Sequence, residues 1–196
     1  MAKRAVAGQV KTRLIGRLTP DQAALTHQAL LDCTLDRLAA WADSRNSTTL
    51  LVFASTGAQV QDLQSNRPHA PGLWREVGQG GGDLGARIER VWRQVGSGPA
   101  VFFGVVSPDV PLSALDAAVT LLAEADAVVG PTDDGGYWCL AARRIEPDLL
   151  ARIDWGTNRV YDQTRAAAEA AGIRLADAPA WTDVDESGDL DRLMDR

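Results

Sequence analysis

Apolar positions along this chain alternate between two patterns, a helical spacing and short continuous runs, and the alternation predicts helices threaded between buried strands. Thr19-Pro20-Asp21-Gln22 opens the first helix: Thr19 can cap, Pro20 suits the first helical position and Gln22 can reach back to the cap N–H. Leu31, Leu35, Leu38 and Ala42 then share one face. Residues 50–54, Leu-Leu-Val-Phe-Ala, are continuously apolar, as a buried parallel strand requires, and Ser-Thr-Gly ends the run. Leu84, Ile88, Val91 and Val95 recur at helical spacing, and residues 100–106 carry the strongest strand pattern in the chain. A helix over 113–123 follows, then a strand at 127–129 and another at 137–142 after the tight Asp133-Asp134-Gly135-Gly136 turn. An alanine-rich helix over 158–171 stops at Gly172, residues 173–175 form a late strand, and Ser187 begins a terminal helix.

Continuously apolar strands alternating with long helices predict an α/β fold: a three-layer α/β/α arrangement around a mostly parallel sheet, as one domain over residues 1–196. In such sheets ligands bind beyond the carboxyl ends of the strands. The loops that follow strands are therefore where chemistry is sought.

Composition narrows the partners. With 45% hydrophobic residues the chain can bury a core without disulfide or metal staples, and its net charge of -6 disfavours a nucleic-acid partner. Cys33 and Cys139 show no metal or redox spacing and read as small buried hydrophobes in a reducing compartment. No secretory h-region follows the N-terminal Met1, and no apolar run approaches the ~20 residues that span a bilayer, so the expected location is cytoplasmic, without a membrane partner. His27 and His69 lack ligand-spaced companions for zinc, and no Ser, His and Asp set has a nucleophile elbow. Nothing in the pattern sets the oligomeric state.

Four clusters remain. Gly8-Gln9-Val10-Lys11-Thr12-Arg13-Leu14 can hold phosphates through backbone N–H groups, a lysine charge and an arginine fork, or it is an ordinary basic loop. Gln79-Gly80-Gly81-Gly82-Asp83 spends much conformational entropy on ordering; Asp83 can simply cap the next helix, but capping does not explain the glycines. Gly130-Pro131-Thr132-Asp133-Asp134-Gly135-Gly136-Tyr137 can orient a cation or an acceptor hydroxyl, or it is a common hairpin turn. Asp183 and Asp185, alternating about Val184, would project to one side of an extended segment and suit Mg²⁺, whereas Glu186 and Asp189 read as N-terminal helix charges.

Together with Trp155-Gly156-Thr157 and Ala2-Lys3, these ordered motifs resemble a bacterial family of GT-A-type glycosyltransferase-like proteins (DUF2064-like). They are more distantly similar to the 2-phospho-lactate and molybdenum-cofactor guanylyltransferases. The resemblance implies the nucleotide-diphospho-sugar transferase (GT-A, Rossmann-like) fold and a transferase that uses a nucleotide sugar or nucleoside triphosphate on a small polar acceptor. It assigns nucleotide binding to Gly8, Lys11, Thr12, Arg13, Gln79, Gly82 and Asp83, and acceptor binding to Asp134, Gly135, Gly136, Tyr137, Trp155 and Thr157. Lys11, Arg13 and Asp134 would be catalytic, and Asp183, Asp185 and Asp109 would hold Mg²⁺ or Mn²⁺.

Two departures bear on that reading. The family's G-x-D-S-P segment reads Gly104-Val105-Val106-Ser107-Pro108, so Val106 stands where a metal-binding Asp is expected, and Asp109 is the nearest substitute. The competing expectation is therefore a catalytically silent nucleotide or sugar binder. The family also places an apolar strand before Ala2-Lys3, where this sequence has Met1, so the expectation is either a start codon upstream or a sheet adjusted to the missing strand. A purely structural role is disfavoured, because a scaffold has no need to order three consecutive glycines.

Overall fold

The computed structural model describes residues 1–44, 51–55, 74–104, 107–182, 184 and 187–194, with backbone only at 51–55, 74–76, 187 and 194. Val106, Asp183, Asp185, Glu186 and His69 lie outside the described residues. The chain divides into two compact units: Met1–Gly78 with Val105–Asp109 and Val184–Arg196, and Gln79–Gly104 with Val110–Asp183.

In the first unit the helix α1 (Pro20–Ser44) starts where its capping residues require. The Thr19 N–H donates to Gln22 Oε1 at 2.8 Å, and the Gln22 N–H donates to Thr19 Oγ1 at 3.2 Å. Two donors left over at the helix start are thereby satisfied. Leu30, Leu31, Thr34, Leu35 and Ala42 are buried along one face, with Leu38 half-buried. Cys33 is exposed, contrary to expectation: it lies off that apolar face, where flanking residues in the sequence do not reveal orientation. The strands β1 (Leu51–Ser55) and β2 (Trp74–Gly78) pair in parallel, from Leu51↔Trp74 to Ser55↔Gly78. The strand β2 escapes sequence reading because Arg75 and Glu76 interrupt its apolar run.

The second unit comprises α2 (Leu84–Val95), β3 (Ala100–Phe103), α3 (Leu112–Leu121), β4 (Ala127–Pro131), β5 (Tyr137–Ala142), α4 (Pro147–Leu150), α5 (Val160–Ala171) and β6 (Leu175–Asp177). The strands run in the order β3-β5-β4-β6. β4 and β6 are parallel, whereas β5 is antiparallel to β3 and also to β4, the latter as the short turn between β4 and β5 imposes. Ala127, Val128 and Val129 on β4 and Trp138, Leu140, Ala141 and Ala142 on β5 are no more than 1% exposed, so both faces of these strands are covered. Trp138 is the largest of these: its ring meets that of Phe103 at a tilt of 59°, centroids 5.4 Å apart, and its indole N–H donates to the Pro179 carbonyl at 3.0 Å.

β6 begins two residues later than the pattern predicts. Gly172, with φ of 69°, caps α5, and the Ile173 N–H bonds back to the Ala168 carbonyl at 2.9 Å, which keeps Ile173 in the cap. The terminal α6 (Ser187–Met194), in the first unit, begins at the expected serine. Among the described residues no helix is long and apolar enough to cross a membrane.

Candidate functional site

In the first unit the basic loop hangs between two buried anchors, Val10 at 3% and Leu14 at 1% exposure. Gly8, Thr12 and Arg13 between and beside them are exposed. Residues 12–14 form a single 3-10 turn preceded by Lys11 in the left-handed conformation, φ 47° and ψ 41°. A residue with a Cβ pays for that geometry, and such strain gathers at functional sites. The Lys11 ammonium donates to the backbone carbonyl of Val184, which lies in sequence between Asp183 and Asp185. The structure thus joins the first predicted cluster to the fourth, which spacing alone did not reveal.

Behind the loop, His27 is 5% exposed and its Nε2 lies 3.0 Å from the Lys3 carbonyl. The carbonyl can only accept, so Nε2 carries the proton. Burial holds the imidazole pKa below its ordinary value, and the charges of Lys11 and Lys3 add to this. Sequence reading dismissed His27 as a ligand and missed it as a support. Its place on the buried face of α1 was the available signal.

In the second unit the Gly-rich loop and α2 confirm the capping reading of Asp83, whose Oδ1 accepts from the Ala86 N–H at 2.9 Å. Gln79 is buried and Gly82 exposed, with φ of 97° at Gly82.

All six acceptor candidates gather in this same unit. The Thr132 hydroxyl donates to Asp134 Oδ1 at 2.6 Å and the Gly136 N–H to the same oxygen at 3.0 Å, so that oxygen holds the turn itself. The Tyr161 N–H donates to the Gly135 carbonyl at 2.8 Å, docking the turn on the start of α5. Gly135 has φ of 82°, and a Cβ there would lie 2.1 Å from the Asn158 carbonyl oxygen, so only glycine fits. Trp155 and Thr157 precede that helix start, and the Tyr137 and Trp155 rings meet edge to face at 6.4 Å. Among the described residues, the Tyr137 hydroxyl and the Trp155 indole N–H are buried without a hydrogen-bond partner. Thr164 is near enough to influence the Tyr137 hydroxyl, but its own hydroxyl donates to the Val160 carbonyl. Burial raises the Tyr137 pKa far above the usual phenol range.

Asp133, the other carboxylate of the predicted turn cluster, accepts from the Thr182 hydroxyl at 3.0 Å. The chain after β6 makes this possible by following β4: the Ala178 N–H reaches the Val129 carbonyl at 2.8 Å, and the Trp181 N–H the Pro131 carbonyl at 2.9 Å.

Among the described residues no three His, Cys, Asp or Glu side chains converge as a metal site. Of the three assigned carboxylates, Asp109 is half-buried in the first unit, and the other two lie outside the described residues. Their chemistry fits Mg²⁺ or Mn²⁺, since carboxylates are the hard oxygen donors such ions take.

The sequence matches the family described as "Uncharacterized protein conserved in bacteria (DUF2064)" over residues 37–157. No curated protein matches it significantly. Among solved structures it is similar to a candidate nucleotide-diphospho-sugar transferase from Desulfovibrio desulfuricans G20, with 27% identity, 98% of this chain and 83% of that one covered, and a TM-score of 0.81. The bifunctional IspDF from Campylobacter jejuni shares the fold at 11% identity and a TM-score of 0.56, over 83% of this chain and 45% of that one. Rv0371c from Mycobacterium tuberculosis H37Rv does so at 18% identity and a TM-score of 0.54, over 85% and 84%. The α/β fold is therefore that of the nucleotide-diphospho-sugar transferases.

Proposed function

We propose, from the premise that this chain belongs to the DUF2064 family, that it is a metal-dependent transferase taking a nucleotide sugar or a nucleoside triphosphate and transferring from it to a small polar acceptor. The observation that carries this reading is Lys11, held in a strained left-handed conformation with its ammonium on the Val184 carbonyl. The likeness to the Desulfovibrio protein over nearly the whole chain supports it.

Lys11 and Arg13 are assigned to the phosphates. An ammonium carries three donors and a guanidinium five, so holding the Val184 carbonyl is compatible with a phosphate oxygen as a further partner of Lys11. Gly8 and Thr12 complete that loop, while Gln79, Gly82 and Asp83 are assigned to the base or ribose. Asp134, Gly135, Gly136, Tyr137, Trp155 and Thr157 are assigned to the acceptor. Gly135 and the bonded Asp134 oxygen hold the turn in shape, leaving the remainder of the Asp134 carboxylate for an acceptor hydroxyl. Asp183, Asp185 and Asp109 would hold the divalent ion, which when bound supplies charge neutralisation for the departing diphosphate. Catalysis by these residues is positioning and charge stabilisation rather than covalent chemistry.

Melting the protein with a panel of nucleoside triphosphates and nucleoside-diphosphate sugars, with Mg²⁺ or Mn²⁺, tests the reading. At least one should raise the melting temperature, because a ligand that binds only the folded state stabilises it. No shift across the panel would remove the nucleotide from the account.

Val106 favours a second reading, a silent nucleotide or sugar binder, because an apolar side chain cannot ligate a hard cation. The Val106→Asp variant separates the two: a silent protein should gain metal-dependent binding or turnover, and an active one should change little.

A further inference from the structure

Three carbonyl oxygens of the Gly-rich loop in the second unit are taken up by arginines from the helix that follows it. Arg90 Nη1 donates to the Gln79 carbonyl at 2.6 Å and to the Gly81 carbonyl at 2.8 Å. Arg87 Nε donates to the Gly82 carbonyl at 2.8 Å. Both side chains rise from α2, whose first turn is capped by Asp83. The loop lies directly over the Arg90 guanidinium: a Cβ on Gly80 would fall 2.6 Å from Nη1 and 2.9 Å from Cζ. Gly80 also has φ of 70°.

With those carbonyls occupied, most of the loop's uncommitted backbone groups are donors, the Gly80 carbonyl being the exception among the described residues. Among the described residues, the N–H groups of Gly80, Gly81, Gly82 and Asp83 have no protein partner, and all four residues are exposed. Successive exposed N–H groups form a surface that binds oxygen acceptors. A loop of three glycines would ordinarily lose much of its affinity to the entropy of ordering, and a loop already ordered does not.

We propose that Arg87 and Arg90 are positioning residues that hold the glycine loop in its binding shape before a ligand arrives, so that residues 80–83 present a row of N–H donors to an oxygen acceptor of the nucleotide. The acceptor oxygen belongs to a base carbonyl or to a phosphate. The ligand part of this inference rests on the nucleotide reading above, whereas the clamp itself does not.

The test measures backbone order in the loop, as amide order parameters from NMR relaxation, and ligand affinity on the same variants. Arg90→Met and Gly80→Ala should both lower the order parameters at residues 80–83, the second because its new methyl displaces the guanidinium. Gly81→Ala is the control: nothing lies within 4 Å of its Cβ and its φ is not positive, so the order parameters should stay as in the wild type. Arg90→Lys should restore part of the order. Nucleoside and inorganic pyrophosphate titrated separately should show Arg90→Met weakening one of them about tenfold or more while the protein stays folded, and the one weakened identifies the acceptor oxygen. Unchanged order in both Arg90→Met and Gly80→Ala would overturn the clamp. Lower order with unaltered affinity for both probes would overturn its role in binding. If the wild type binds neither probe, the nucleotide reading is what fails, and the order parameters alone still decide the clamp.

Discussion

The turn at residues 132–137 and the loop at residues 8–14 are both polar, both carry glycine and both are assigned to ligands, yet they are built in opposite ways. In the turn, Asp134 Oδ1 takes two hydrogen bonds, the Thr132 N–H meets the Gly136 carbonyl at 3.1 Å, and the Gly135 carbonyl is fixed by Tyr161. The loop is held by backbone bonds from Gln9 to the Val6 carbonyl, Leu14 to the Lys11 carbonyl and Ile15 to the Thr12 carbonyl, by the Lys11 ammonium on the Val184 carbonyl, and by Val10 and Leu14 as its buried anchors. The turn uses its polar groups for its own shape, whereas the loop carries two cations, half-buried Lys11 and exposed Arg13, and accepts strain at Lys11. A rigid turn suits an acceptor that must be aimed. Cations carried on a loop suit a phosphate, which is recognised mainly by charge.

If this contrast is right, damage to the turn should appear as lost stability and damage to the loop as lost binding. The largest effect expected is from Gly135→Ala, which forces a methyl to within 2.1 Å of the Asn158 carbonyl oxygen at a positive φ. Roughly 2–4 kcal/mol of stability should be lost in urea unfolding. Lys11→Met should cost no more than about 1.5 kcal/mol of stability, a part-buried charged hydrogen bond being removed, while nucleotide affinity falls about tenfold or more, as loss of a charged contact requires. Asp134→Ala should cost about 1–2 kcal/mol, and Asp134→Asn less, because the amide oxygen still accepts from Gly136.

The smallest effects separate the two units by pH. Burial depresses the His27 pKa, so the unfolded chain binds the proton more readily; the stability this contributes is full above the ordinary imidazole pKa of about 6.5 and is lost as pH falls below it. In the second unit, hydrogen bonds from Arg174 hold the Asp126 pKa at about 2, so its contribution is full above the ordinary carboxylate value and is lost only as pH falls through about 2. Acidification should therefore weaken the first unit before the second, followed by hydrogen exchange within each. The His27→Gln variant should remove the earlier step and leave the later one.

Much of this was legible in the residues. Helix boundaries set by local chemistry were readable, because Thr19 with Gln22, Asp83 and Gly172 act within four residues of themselves. The strand 137–142 was readable from its unbroken apolar run after a tight turn. Three features were not. The strand β2 carries charges at its centre and is defined by pairing with β1, which no local pattern encodes. The exposure of Cys33 depends on which way a helix turns its face. The contact of Lys11 with Val184 spans most of the chain, and motif spacing says nothing about such a distance. Arg87 and Arg90 stood at helical spacing in view, but their reach back to loop carbonyls depends on the loop's left-handed glycines.

The central claim, that the loop around Lys11 and Arg13 takes the phosphates of a nucleotide, is tested most directly by calorimetric titration of nucleoside diphosphates with Mg²⁺ into the wild type and Lys11→Met side by side. The account predicts saturable binding to the wild type, weakened about tenfold or more in the variant, with the free proteins melting within a few degrees of each other. Equal affinity for both proteins would contradict it.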